Sequence, residues 1–149
     1  MQRLERLAQR TGRLRGRPVH LLVGERGERE AVFYLRTQGY MVVARRWRTG
    51  RLRGDVDVVG WEGDELCFVE VKTRAERKAM DPAEAAVDED KRRRLRRMAE
   101  AYLRGFPEEE RRRVAVRFDV LAVYLAGTTA AGAAGAEFEL FRGAFGKRD

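Results

Sequence analysis

The sequence predicts a single α/β domain built on a mixed β-sheet flanked by helices. Three observations carry this. A stripe of period 3.6 opens the organised part of the chain at Glu28, Ala31, Val32 and Leu35. Two segments of strand character follow, Asp55–Trp61 and Leu66–Thr73, separated by Glu62-Gly63-Asp64-Glu65. A further segment, Val114–Leu125 (VAVRFDVLAVYL), is apolar on both faces, as a strand covered from both sides must be. Helices alternating with strands in this way build a sheet with helical layers on its faces.

Residues 1–23 read as a basic, mobile leader. Arg13, Arg15 and Arg17, interleaved with Gly12, Gly16 and Pro18, interrupt any helix there. A DNA-gripping arm is the alternative. Residues 24–145 form the domain. Its first helix spans Gly24–Gln38 and stops at Gly39. A strand follows over Tyr40–Arg48, then a basic connection over Thr49–Gly54. Gly63 at the first central position suits a type II′ turn over Gly63-Asp64. That turn sets Asp57 opposite Glu70 and Asp55 opposite Lys72.

Residues 74–81 read as a polar loop. Asp81 as N-cap, Pro82 at the first helical position and Glu84 at the third predict a second helix running to about Arg104. Its apolar side is Leu95, Met98, Ala99, Tyr102 and Leu103, and Gly105 ends it. Gly127–Ala136 is a low-complexity loop, Phe138, Leu140 and Phe141 mark a short last strand, and 146–149 form a tail. The uncharged run Val120–Ala136 reads as a buried strand plus a Gly/Ala loop, not as a membrane span. The polar, Arg-rich start has no apolar signal segment, and the single cysteine, Cys67, is expected to be reduced, so a cytoplasmic location follows.

Composition narrows the chemistry. The chain has 149 residues, with 32 Lys plus Arg against 24 Asp plus Glu, a net charge of +8. The charge is uneven: residues 1–54 carry +10 and residues 55–149 carry −2. A polyanion is the expected partner, nucleic acid ahead of an anionic membrane surface. There is one His, one Cys, and no Ser or Asn. Serine triads and Cys/His zinc sites are thereby excluded. Carboxylates, Lys, Arg and Thr remain.

The hairpin brings such groups together. Alternate residues of a strand share a face. Asp55 and Asp57 therefore share one face, with Val56 and Val58 on the other. Glu70 and Lys72 share a face with Leu66 and Phe68. Opposed across the hairpin, the Asp57 and Glu70 carboxylates repel by roughly 3 kcal/mol at an effective dielectric of about 20. A divalent cation removes that repulsion, because Mg²⁺ takes a few carboxylates plus water and phosphate oxygens. Lys72 then stands beside the attacking water or the scissile phosphate, and the Val71 carbonyl is a further candidate ligand. Glu28, on a core-facing stripe, is a third acid in want of a partner. The same pattern also describes the solvated face of an amphipathic hairpin. The apolar neighbours Leu66 and Phe68, and the juxtaposed like charges, argue for a covered site.

Taken in order, several segments resemble the YraN family over roughly residues 24–125. They are Gly24-x-x-x-Glu28-x-x-Ala31 before Leu35 and Gly39-Tyr40, Gly54-Asp55-Val56-Asp57-Val58-Val59, Phe68-Val69-Glu70-Val71-Lys72-Thr73-Arg74, Ala86-Val87-x-x-x-Lys91 with Leu95, and Arg117-Phe118-Asp119-Val120. That family is similar to archaeal Holliday-junction resolvases and the PD-(D/E)xK nuclease superfamily. The resemblance implies a restriction-endonuclease-like fold and a predicted endonuclease dependent on Mg²⁺, with Mn²⁺ able to substitute. Carried over by position, Glu28 matches the helix acid, Asp57 the metal-binding Asp, and Glu70 and Lys72 the acid and lysine of the E-x-K strand. Two positions depart from the family: Asp55 stands where Glu is usual, and Arg46 where Asn commonly precedes Trp.

The implied reaction is phosphodiester hydrolysis in nucleic acid, DNA ahead of RNA, with branched or otherwise structured DNA as the candidate substrate. Arg45, Arg46, Arg48, Arg51 and Arg53, interleaved with Trp47, are candidate phosphate contacts, as are Lys91 and Arg92. Arg93, Arg94, Arg96 and Arg97 wrap the second helix, so the whole run cannot face one duplex. Lys91, in line with Leu95, is the one expected to face the site. A homodimer would suit two cuts on a symmetric junction. Two other readings remain open: a catalytically inactive nucleic-acid-binding module of the same fold, and an interaction protein for an acidic partner.

Overall fold

The computed structural model describes residues 19–74, 87–125 and 135–147. The elements are α1 (Val19–Thr37), β1 (Met41–Trp47), β2 (Val56–Glu62), β3 (Glu65–Arg74), α2 (Glu89–Leu103), α3 (Glu108–Arg113), β4 (Ala115–Leu125) and β5 (Ala136–Phe145). The strands form one sheet in the order β1-β2-β3-β4-β5. β3 and β4 are parallel, and every other neighbouring pair is antiparallel. This is an α/β fold with a mixed sheet flanked by helices, consistent with a restriction-endonuclease-like architecture.

The two faces of the sheet carry separate cores. On one, Ala31, Val32 and Leu35 of α1 pack over Val58, Cys67, Val69, Leu121 and Val123. On the other, Leu95, Met98, Ala99 and Leu103 of α2 pack over Val59, Leu66, Phe68, Phe118 and Val120. β4 is buried continuously from Phe118 to Leu125, which explains why its sequence shows no alternation. No helix among the described residues is long and apolar enough to cross a membrane.

Local chemistry sets the element ends. α1 closes in a Schellman motif: the Tyr40 N–H donates to the Leu35 carbonyl at 2.9 Å and the Gly39 N–H to Arg36 at 3.1 Å. Gly39 supplies the required left-handed residue, φ +96°. The hairpin register is the expected one, from Glu62↔Glu65 to Val58↔Val69, with Gly63 at φ +56°.

Several boundaries differ from expectation. The helix expected from Gly24 begins earlier, at Val19. Gly27 lies inside it because α1 approaches β3 closely there, and a Cβ would collide with the Thr73 side chain. The helix that carries Leu95, Met98 and Leu103 begins at Glu89. Residues 87–88 are non-helical, and Asp88, with extended backbone, caps α2 by accepting from the Lys91 N–H at 2.9 Å. The Asp81-Pro82 cap and most of the 127–136 loop lie outside the described residues, as do residues 1–18. Ala136 already belongs to β5, which runs on to Phe145. The helix α3 was not anticipated. Its EEERRR sequence places acids in the first turn and bases in the last, matching the helix dipole. Val56 and Val58 do not share a core: Val56 packs with the α2 cluster and Val58 with the α1 cluster. The β2–β3 ladder ends at Val58↔Val69, and beyond it the strict alternation is lost.

A polar network locks the tip of the hairpin to the rest of the sheet. The buried Asp119 carboxylate accepts from the Tyr40 hydroxyl at 2.8 Å, Arg117 Nε at 2.8 Å and the Gly143 N–H at 2.9 Å. Arg117 also reaches Glu62 at 2.7 Å and Glu65 at 3.2 Å, and Arg142 holds Glu62 at 2.8 Å. Burial, then the Asp119 charge, pushes the Tyr40 hydroxyl well above its ordinary range, so it stays a donor. Replacing Asp119 strands a buried guanidinium and a hydroxyl. Asp119→Ala is expected to cost about 3–5 kcal/mol in urea unfolding. Tyr40→Phe, which removes one hydroxyl, is expected to cost about 1–3 kcal/mol. A smaller loss for Asp119→Ala than for Tyr40→Phe contradicts this account.

Candidate active site

Glu70 and Lys72 lie toward the far end of β3 from the hairpin tip. Their neighbours on β4 are Val120 and Ala122. Glu65 and Glu70 are about 17 Å apart along an extended strand, so the site is well separated from the Asp119 network. Glu70 is only 7% exposed. Asp57 comes from β2, one residue past the last ladder pair. Its Oδ2 accepts from the Val71 N–H at 2.8 Å, so the side chain takes over a backbone partner where the ladder stops.

The expected convergence of Asp57 and Glu70 is present, though not as a regular cross-strand pair. Burial pushes the Asp57 carboxyl up to about 7, and the Glu70 charge is the next cause. Asp55 and Glu28 push the same way more weakly, while the Val71 N–H opposes them. Asp55 does not stand opposite Lys72. It precedes β2 and is held by Arg48 at 3.5 Å. Lys72 is half-buried. Its ammonium is shifted down by burial and then by Lys91 and Arg74, while Glu70 and Asp88 draw it up.

Two cations reach the acids. Lys91, in the first turn of α2, forms an ion pair with Glu70 Oε1. Arg46 Nε forms an ion pair with Glu28 Oε2. The β1–β2 register places Arg46 across from Asp57, between Arg45↔Val58 and Trp47↔Val56. Arg46 has φ +46°, a left-handed conformation that costs a side-chain-bearing residue about 1–2 kcal/mol. Asn tolerates that region better than Arg does. Glu28 is not fully enclosed in the core as its stripe suggested. It lies at the core's margin, where Arg46 can reach it.

The basic residues divide. Arg45 and Arg46 line a groove with Glu25 and Arg29, and Arg29 is a cation the spacing analysis passed over. Arg48, Arg51 and Arg53 are exposed around the β1–β2 connection. Arg92 instead supports the fold: its Nε donates to the Val87 carbonyl at 2.7 Å and its guanidinium lies 5.7 Å from the Phe145 ring centroid. Arg96 donates to the Gly146 carbonyl at 2.9 Å. Asp88 was also missed. The acids Glu89 and Asp90 directly after it were the available signal for a helix start.

Among the described residues, no three His, Cys, Asp or Glu side chains are gathered closely enough to hold a metal unaided. Two hard carboxylates completed by water and phosphate oxygens still fit the Mg²⁺ habit. Burial, and then the Glu70 charge, raises the Asp57 carboxyl, and a cation beside it would favour the ionised form.

This has a pH consequence. Asp57 holds its proton in the folded chain up to about pH 7, whereas an unfolded Asp releases it near 3.9. The folded state then binds more protons over that window, so stability falls as pH rises from about 4 to about 7. Across it the metal-free protein is expected to lose stability through this group. Asp57→Asn is expected to flatten the decline, read as unfolding midpoints at pH 5 and pH 8. An unchanged slope in Asp57→Asn rules out this origin.

The sequence matches the profile of the Uncharacterised protein family UPF0102 over residues 27–123. It is 49% identical over 108 residues to a UPF0102 protein of Koribacter versatilis, covering 72% of each chain. It is 43% identical over 133 residues to one from Solibacter usitatus, covering 89% of this chain and 92% of that one. A UPF0102 protein of Rhodococcus opacus is 42% identical over 106 residues, covering 71% of this chain and 85% of the other. Matched over most of its length, with Glu28, Asp57, Glu70, Lys72 and Lys91 all inside the matched span, the chain belongs to the UPF0102 family, also called the YraN family.

Proposed function

We propose that the protein is a divalent-metal-dependent endonuclease of the PD-(D/E)xK type, acting on DNA. The observation that carries this is the meeting of Asp57 and Glu70 at the end of the β2–β3 ladder, with Lys72 on the same face as Glu70. Asp57 and Glu70 would hold Mg²⁺, with Glu28 close enough to act on Asp57 electrostatically. The bound ion would supply Lewis acidity and a water acidified to a nucleophile. Lys72 would donate to a phosphate oxygen and stabilise the charge that grows on phosphorus during attack. Its depressed ammonium suits a donor working in a partly dry site. Arg45, Arg48, Arg51 and Arg53 would grip backbone phosphates beside the site without reading sequence.

A second reading, a binding module with an idle site, draws on Lys91 and Arg46 already neutralising Glu70 and Glu28. Cleavage assays separate the two. Purified protein is incubated with branched, nicked, single-stranded and plain duplex DNA in Mg²⁺, Mn²⁺ or EDTA, beside a matched Asp57→Ala preparation. Cutting is expected in Mg²⁺ and Mn²⁺ and none in EDTA or with Asp57→Ala. Lys72→Met is expected to slow cutting by about 10²–10³-fold with DNA binding retained. Metal-dependent cutting that persists in Asp57→Ala removes the catalytic proposal.

Binding has its own signature. Arg45→Ala and Arg48→Ala are each expected to lower the salt dependence of DNA affinity by about 0.9 in log–log slope. Arg92→Ala is expected to lower the melting temperature and leave that slope unchanged. Equal slopes in all three variants contradict the placement of the duplex.

A further inference from the structure

We propose that Lys91 and Arg46 are resident counter-ions of the acidic site, which a divalent cation displaces and which then bind the phosphates of the substrate. This regulates the same site and rests on the nuclease reading above.

The geometry is specific. Glu70 and Glu28 flank Asp57, and each already carries one protein cation. Lys91 is on Glu70 and Arg46 is on Glu28. Both cations come from neighbouring elements, α2 and β1, not from the strands that bear the central acids. Both keep an open side. The Lys91 side chain is 32% exposed and that of Arg46 is 49% exposed. The purely structural pair at the other end of the sheet is different: Arg117 and Asp119 are 14% and 0% exposed. The exposure of Lys91 and Arg46 leaves both cations room to swing off their acids, which the enclosed Arg117 lacks.

Competition follows from charge. A lysine ammonium and a divalent ion cannot occupy the same Glu70 oxygen. A doubly charged ion between two carboxylates is favoured over a single ammonium on one of them. Lys91 cannot diffuse away, because Asp88 caps its backbone N–H and fixes its stem in the first turn of α2. Once displaced, its ammonium stays beside the metal, where the scissile phosphate would lie. The compact, hydrated ammonium rearranges readily. Arg46 adds a planar fork suited to phosphate, directed at the site by its left-handed backbone. Metal and polyanion binding are then coupled, and by linkage each tightens the other.

The test uses the full chain. Mg²⁺ affinity without DNA is measured by calorimetry. The affinity for a short labelled duplex is measured by fluorescence anisotropy in EDTA and in Ca²⁺, so that cleavage does not interfere. Circular dichroism melts confirm that each variant folds. Lys91→Met removes the competitor and is expected to bind Mg²⁺ about tenfold tighter than the parent. It is also expected to lose at least half, on a logarithmic scale, of the roughly five- to hundredfold gain in DNA affinity that Ca²⁺ gives the parent. Lys91→Arg, which keeps the charge, is expected to behave like the parent. Arg46→Gln provides an independent arm with the same direction and a smaller size. Weaker Mg²⁺ binding in Lys91→Met, or an undiminished Ca²⁺ effect on DNA, overturns the exchange and leaves the nuclease reading standing. A parent protein that binds neither Mg²⁺ nor Ca²⁺ overturns both.

Discussion

Two carboxylates, Asp57 and Glu70, lie beside each other where the β2–β3 ladder gives out, and most of the surrounding architecture works to keep them there. Left alone in a half-dry site they repel, which is why burial and the Glu70 charge drive the Asp57 carboxyl up to about 7. The fold contains the strain with three devices: a backbone N–H from Val71 on Asp57, an ammonium from Lys91 on Glu70, and a guanidinium from Arg46 on Glu28. Each comes from a different element. The site is therefore a product of the β1–β2–β3 order and of α2 beginning at Glu89.

The opposite end of the sheet shows what a purely structural polar cluster looks like in the same chain. Asp119 is fully satisfied by Tyr40, Arg117 and Gly143, and the guanidinium of Arg117 is shared among Asp119, Glu62 and Glu65. Every charge there has an opposite partner. Around Asp57 and Glu70 the acids also have cations, Lys91 on Glu70 and Arg46 on Glu28, but those cations are more exposed than Arg117.

The basic residues are likewise divided by their contacts. Arginines of the β1–β2 connection stay exposed beside the acids, whereas Arg92 and Arg96 are spent on tying α2 to β5 through Phe145 and Gly146. Net charge alone could not have made this distinction. The family match over residues 27–123 spans Asp57, Glu70, Tyr40, Arg117 and Asp119, while Arg142 and Gly143 lie beyond it.

Periodicity and turn chemistry determined the local part of this protein. The α1 stripe, the Gly39 stop, the Gly63-Asp64 hairpin and the doubly buried β4 are all written within spans of a few residues, where backbone sterics and side-chain spacing act directly. The parity of Glu70 and Lys72 on one strand is of the same kind. What only the tertiary structure decided involves residues far apart in sequence: Arg46 on Glu28, Lys91 on Glu70, and Asp119 on Tyr40. The start of α2 at Glu89 and the break in alternation at Val56 belong here too, since both depend on where neighbouring elements pack. A sequence pattern records which face a side chain takes along its own element. It does not record which distant charge will arrive opposite, because that is settled by how whole elements minimise buried, unpaired charge once they meet.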